Sequence, residues 1–283
     1  MTGAGVVVES GFPAGSARRA GAVRRAAALR RAARDSALIA RRQLKVLRVN
    51  PGRLIYPLVQ PVVLLILFVS VLGSLALSPG AAGESYRQFL IPGILIQNAA
   101  LTAPGTGLGL LRDAGSGLAD RFRSLPMSRS AVLIGRLAAD AVVFTAQAVL
   151  LLAVAALLGF RVRAGLAGQA GIVAVAVAFG LAVAVVSAWL ALLIRDTETA
   201  ERVLYFPAIA LAFVSSAFAP AGDLAAWMQP IARASPVTAA AGLIRSLSAG
   251  GPAAGPLVHL ALWVAGLALI PGVLAVRRWN APG

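Results

Sequence analysis

The sequence predicts an all-α integral membrane protein with six transmembrane helices, and three observations predict it. The 283 residues are 59% hydrophobic and 13% charged, with a mean hydropathy of +0.84; a soluble domain is about half apolar and roughly a quarter charged. Six apolar segments recur along the chain, each close to the ~20 residues that a helix needs to cross a bilayer core. The charged residues fall between these segments and mostly on one side of them.

Residues 1–33 combine Gly, Ala, Pro and Arg without apolar periodicity and are expected to form a disordered basic tail, with 34–283 as the transmembrane domain. They lack the apolar core, about 7–15 residues long, of a secretory signal. In residues 34–49, RDSALIARRQLKVLRV, a helical wheel puts Arg34, Arg41, Arg42, Lys45 and Arg48 on one arc. Ile39, Ala40, Leu44, Val46 and Leu47 lie opposite, and Leu38 and Val49 break the pattern. A basic amphipathic helix before a span reads as interfacial, with Arg41, Arg42, Lys45 and Arg48 on lipid headgroups. A solvated helix that merely precedes the span is the alternative. Asn50, Pro51 and Gly52 then stop the helix.

The spans are expected at about 54–77, 89–111, 137–160, 169–194, 203–219 and 257–276. Residues 220–256 hold five prolines and two apolar stretches too short to span, which reads as re-entrant or interfacial helices before span 6. Six spans put both termini on one side. The side with the termini and the 112–136 and 195–202 loops collects 21 Lys and Arg; the other holds five, Arg87, Arg161, Arg163, Arg233 and Arg245. Positive charge concentrates on the cytoplasmic side, so both termini are expected in the cytoplasm. High Ala, Gly and Arg with a single lysine fits a GC-rich bacterial genome, and so a multi-pass protein of the bacterial inner membrane.

The same residues narrow the chemistry. The net charge of +16 flanks apolar segments rather than lining one soluble face, which argues against a nucleic-acid partner. No Cys and one His, His259, leave no thiol chemistry and no multi-histidine metal centre. No Gly-rich loop is followed by Lys and Ser/Thr, and the one lysine, Lys45, sits in QLKVL, so no P-loop binds ATP in this chain. No catalytic residue, metal or cofactor is assigned to it. Asp140 is the one ionisable group expected inside a span; Arg136, four residues earlier, is its expected partner in an interfacial ion pair. Gln60, Gln97, Asn98 and Gln147 are uncharged polar groups at membrane depth. They either line a candidate substrate path or join helices by hydrogen bonds. Ala176, Gly180 and Ala184 share a face and read as a close-packing stripe.

The one long charged interruption is 112–140, RDAGSGLADRFRSLPMSRSAVLIGRLAAD. Gly115 and Gly117 break span 2, and Asp113 or Ser116 is suited to cap a new helix. Leu118, Phe122 and Leu125 recur at i, i+4 and i+7 and form one apolar face, while Asp120, Arg121 and Arg123 point elsewhere. Pro126 stops this helix and Ser128 is placed to cap the next. A short peg between two spans, held by breakers at both ends, fits a groove on a soluble partner; a charged interfacial loop without a partner is the alternative.

DRFRSLPMSRSAVLIGRLAAD (Asp120–Asp140) resembles the cytoplasmic loop of ABC-2 type permeases, and within them the daunorubicin-resistance membrane-subunit group of actinobacteria. RRQLKVLRVNPGRLIYPLVQP (Arg41–Pro61) resembles the family's amphipathic lead-in to its first span, and WMQPIARASPVTAAAGLIRSL (Trp227–Leu247) its segment before the last span. The likeness covers roughly 36–278. It implies a permease that pairs with itself and with a separate ATP-binding subunit, which holds the ATP and Mg. It also implies a coupling helix between spans 2 and 3. On this chain Leu118, Asp120, Arg121, Phe122, Arg123, Leu125, Pro126 and Arg129 would contact the ATPase. The implied activity is outward movement of an amphipathic drug-like or lipid-like substrate. One departure is that the loop opens with RDAGSG where the wider family often has Glu. The other readings are a lipid or polysaccharide ABC exporter and, from a different class, an ATP-independent secondary transporter or membrane assembly factor.

Overall fold

The computed structural model of the chain describes residues 33–43, 45, 52–75, 83–115, 129–194 and 196–280. Among the described residues the structure is helical, with no strand. All but the last residue of the expected 1–33 tail, Arg48 and the peg (116–128) lie outside them; residue 33 instead opens the first helix. The helices are α1 (residues 33–43), α2 (Gly52–Leu75), α3 (Gly83–Thr102), α4 (Pro104–Gly115), α5 (Arg129–Leu157), α6 (Gly165–Ala191), α7 (Thr197–Phe213), α8 (Gln229–Ala234), α9 (Pro236–Ala249) and α10 (Ala254–Asn280). A single 3-10 turn, Ala221–Asp223, precedes α8.

Four stretches among the described residues are long and apolar enough to cross a membrane: Tyr86–Asp113, Val132–Leu157, Gly165–Ala191 and Ala254–Ala275. Leu58–Val71 is a shorter apolar helix within α2. Span 2 is two helices, because Pro104 has no N–H to continue the ladder and its ring opposes helical continuation. Ser187 of α6 mends the break: its Oγ donates to the Pro104 carbonyl and accepts from the Gly107 N–H, both at 3.2 Å. Gly107 makes the approach possible, since a Cβ there would lie 2.5 Å from the Ser187 carbonyl oxygen.

Helix α6 is the central post and packs against α3, α4, α5, α9 and α10. Its small-residue stripe serves that packing: Ala176 and Ala184 are buried, and the Phe144 ring of α5 lies against Gly180, about where its Cβ would be 3.1 Å away. Helix α7 opens on an N-cap, Asp196, whose carboxylate accepts from the Thr199 N–H at 2.8 Å. That backbone hydrogen bond, with the Thr199 side chain next, holds the Asp196 carboxyl below the usual carboxylate range.

The chain order gives the bundle two ends. One carries Gly115, Arg129, Ala191 and Thr197; the other carries Tyr86, Leu157, Gly165 and Phe213, with α8 and α9 across it. Arg112 and Glu201 pair at 3.5 Å across α4 and α7 at the first end. At the second, Arg245 of α9 donates from Nε to the Phe89 carbonyl (3.1 Å) and from one terminal nitrogen to the Ser216 and Ala217 carbonyls (2.8 and 3.4 Å). Its guanidinium also lies 3.6 Å from the centroid of the Phe89 ring. In the sequence, Arg245 shows only as one charge on the less basic side.

Candidate coupling stem and membrane-depth polar groups

Helices α4 and α5 flank residues 116–128 and form the stem of that segment. Their inner faces are joined by polar contacts. Arg136 of α5 reaches α4, where it meets the Asp113 carboxylate at 3.3 Å and donates to the Gly105 carbonyl, also at 3.3 Å. Gly109 leaves the space for it, because a Cβ there would sit 1.6 Å from a guanidinium nitrogen. The Arg136 side chain is 14% exposed, so its charge is largely removed from water and depends on this partner. Its Nε is buried and faces no acceptor among the described residues.

The expected Arg136–Asp140 pair is replaced by this cross-helix arrangement. Asp140 Oδ2 accepts instead from Thr106 Oγ1 at 2.8 Å. The i, i+4 rule describes an isolated helix surface; here a glycine notch on the neighbouring helix offers the arginine a carboxylate and a carbonyl at once.

Helix α1 closes the stem from a third side. Ser36 and Ile39 are buried, and a Cβ on Gly135 would lie 2.6 Å from the Ser36 carbonyl oxygen and 2.8 Å from Ile39 Cβ. Ile39 packs with Leu110, Val132 and Ala188. Gln43 Nε2 donates at 3.5 Å to Asp113 Oδ2, the same oxygen that faces Arg136. Arg41, Arg42 and Lys45 are exposed. The buried Ile39 agrees with the wheel; the inward turn of Ser36 and Gln43 was not foreseen, because polar side chains carry no hydropathy signal of burial.

The four membrane-depth amides take different positions. Gln97 and Gln147 are buried, and Asn98 Nδ2 donates to Gln147 Oε1 at 3.4 Å, joining α3 to α5. Gln60 is exposed on α2, among Val59, Val63 and Leu67. The outer flank of α5 presents an open apolar face formed by Ala141, Val142, Thr145 and Val149, among others. It meets a crevice of about 360 Å³ between α5 and α6, where Gln169 is the one amide; the two share Val149 and Ala153. Of the eight residues expected at the ATPase, only Arg129 lies in a described helix, as the first residue of α5.

Replacing Asp113 with Ala is expected to lower stability by about 1–2 kcal/mol, since it strips a mostly buried arginine of its carboxylate while Asp113 itself is one-third exposed. Exchanging the pair (Asp113→Arg with Arg136→Asp) is expected not to restore it. The Gly109 notch and the Gly105 carbonyl are placed for a guanidinium arriving from residue 136. Thermal unfolding of the detergent-solubilised variants measures both, and full recovery in the exchanged protein would contradict the second.

Comparison with known proteins gives the arrangement a context. The ABC-2 type transporter family profile matches residues 36–247. The chain is 29% identical over 224 residues to the "Probable doxorubicin resistance ABC transporter permease protein DrrC" of Mycobacterium tuberculosis, covering 78% of this chain and 80% of that protein. It is 30% identical over 200 residues to the "Daunorubicin resistance ABC transporter permease protein DrrB1" of Streptomyces coeruleorubidus, covering 71% and 70%.

Proposed function

Because this chain belongs to the ABC-2 type transporter family, we propose that it is the membrane-spanning permease of an exporter driven by ATP hydrolysed in a separate subunit. Its substrate is an amphipathic, antibiotic-like compound of the doxorubicin and daunorubicin kind, moved outward. The observation that carries this reading is the likeness to two drug-resistance permeases over 70% or more of each of them. The sequence supports a division of labour: with no P-loop in the chain, ATP acts from a partner. Catalytic chemistry belongs to that partner, which holds the ATP and Mg.

In this reading the six apolar segments all span, two copies of the permease pair, and both termini lie in the cytoplasm of a bacterial cell. The Gly115/Arg129 end of the bundle is then the inner end. Helix α1 lies at the inner leaflet, and α8 and α9 form the re-entrant pair at the outer one. Gly117–Arg129 receives the motion of the ATPase, with Phe122 and Leu125 as the apolar anchors, and the α4–α5 stem carries it into the bundle. The Asn98–Gln147 bond favours the reading of these amides as joining helices.

The test replaces Phe122 and Leu125 with Asp in the permease reconstituted with its ATP-binding subunit. Substrate-stimulated ATP hydrolysis and export are both expected to fall about thirtyfold, the factor that corresponds to losing a ~2 kcal/mol interface anchor. Unchanged export and hydrolysis would sink the coupling role. Wild-type transport that follows an ion gradient without ATP would sink the ABC reading itself.

A further inference from the structure

Helix α1 has two working sides. On a wheel at about 100° per residue, Arg34, Arg41, Arg42 and Lys45 fall within an arc of about 100°, and Ser36, Ile39 and Gln43 within an opposing arc of about 60°. The four cations are exposed. The three opposing residues are the ones that meet the stem: Ser36 and Ile39 against Gly135, and Gln43 on Asp113. The contacts on the stem side lie at Leu110 and Asp113 of α4 and at Val132 and Gly135 of α5. These are the last turns of α4 and the first of α5, so α1 sits at the level where the two helices leave the apolar layer. A cationic face at that depth meets phosphodiester headgroups, each cation contributing a roughly fivefold preference for an anionic surface.

We propose that anionic lipid headgroups bind the Arg34, Arg41, Arg42 and Lys45 side of α1 and thereby hold its other side on Gly135 and Asp113, so that the lipid composition of the leaflet sets how firmly α4 and α5 move as one unit. The linkage follows from the geometry. Asp113 Oδ2 is shared between Gln43 of α1 and Arg136 of α5, and α1 packs directly on the backbone of α5 at Gly135, where a Cβ would lie 2.6 Å from the Ser36 carbonyl oxygen. Any ligand that binds the docked form of α1 better than an undocked one stabilises that docking by its difference in affinity. This inference rests on the exporter reading above for its functional consequence, but the docking itself does not.

The experiment uses the full chain in nanodiscs of phosphatidylcholine alone or with about one third phosphatidylglycerol, followed by hydrogen exchange of the peptide covering residues 33–45. Exchange is expected to slow by about fivefold for each cation engaged. In the Arg34→Gln, Arg41→Gln, Arg42→Gln, Lys45→Gln variant the lipid dependence disappears. Equal exchange in the two bilayers overturns the proposal. So does an undiminished lipid response in the variant, which would assign the effect to cations outside residues 33–45. Inorganic phosphate added to phosphatidylcholine discs is expected to change nothing; a response equal to that of the lipid would make the ligand a free anion and overturn the lipid assignment. In proteoliposomes with the ATP-binding subunit, substrate exported per ATP rises with phosphatidylglycerol in the wild type, and Gln43→Ala, which keeps every cation, removes the rise. A Gln43→Ala variant that still responds breaks the link between α1 and the stem. A wild type that exports nothing with ATP sinks the exporter reading and leaves the exchange result to stand by itself.

Discussion

Replacing Arg245 with methionine is expected to lower the stability of the protein by about 2–4 kcal/mol, read as a fall in the thermal midpoint in detergent. The side chain satisfies the carbonyls of Phe89, Ser216 and Ala217 and lies over the Phe89 ring. Ser216 and Ala217 lie in the turn beyond the end of α7, outside any helix, so their carbonyls have no intrahelical donor. Methionine fills a similar volume but donates nothing, so these acceptors are left unsatisfied. Lysine is expected to recover less than half of the loss. It keeps the charge near the ring, but a point ammonium does not bridge Phe89 and Ser216 as a planar fork does. A lysine variant as stable as the wild type would mean that charge alone, without the fork, is sufficient.

The same turn is held from the other side by Gly93, and Gly93→Ala is expected to cost about 2–3 kcal/mol. A Cβ there would stand 2.1 Å from the Ala217 carbonyl oxygen and 2.7 Å from its carbonyl carbon and Cα. These are backbone atoms, so no rotamer relieves the clash and α3 must move away from the turn. Gly105→Ala is the control, since nothing lies within 4 Å of its added Cβ and alanine favours a helix by up to about 1 kcal/mol. Because Gly93 and Arg245 act on one turn, the double variant is expected to lose less than the sum of the two. A strictly additive result would show that the turn is not a shared unit.

The helices were legible where hydropathy and breakers speak together. Gly52, just after Asn50 and Pro51 in the sequence, opens α2, and the proline-rich 220–256 region forms short helices rather than a span. The division at Pro104 was less legible, because Pro92, Pro207 and Pro271 lie inside helices without ending them. What separates Pro104 is its setting, where Ser187 of a neighbouring helix bonds the Pro104 carbonyl and the Gly107 N–H. The polar pairings were the least legible part. Arg136, Asp140, Gln43 and Arg245 all find partners outside their own helices, and the Arg136 contact depends on a missing Cβ at Gly109, as the seating of Ser36 and Ile39 does at Gly135. A glycine in a helix gives no hint, in sequence, of what will lie against it. An arginine in the apolar stretch of α9 with no acid near it was the available signal for Arg245: a cation there needs either carbonyls or a carboxylate from elsewhere. The peg itself was read from periodicity and resemblance, and it lies outside the described residues.

The final helix makes a different demand on its sequence from that made by α3 and α4. Only 11% of the Ala254–Ala275 window is buried, against 67% of the window in Tyr86–Asp113. A helix that presents most of its surface to acyl chains is recognised by greasiness and length, while one enclosed by its neighbours is recognised by shape. Leu257, Leu262, Leu269 and Ile270 are largely exposed, so isoleucine, valine or phenylalanine at those places would serve as well. Randomised libraries across α10 would return many synonyms, and the same libraries across Gly93, Gly107 and Gly109 almost none.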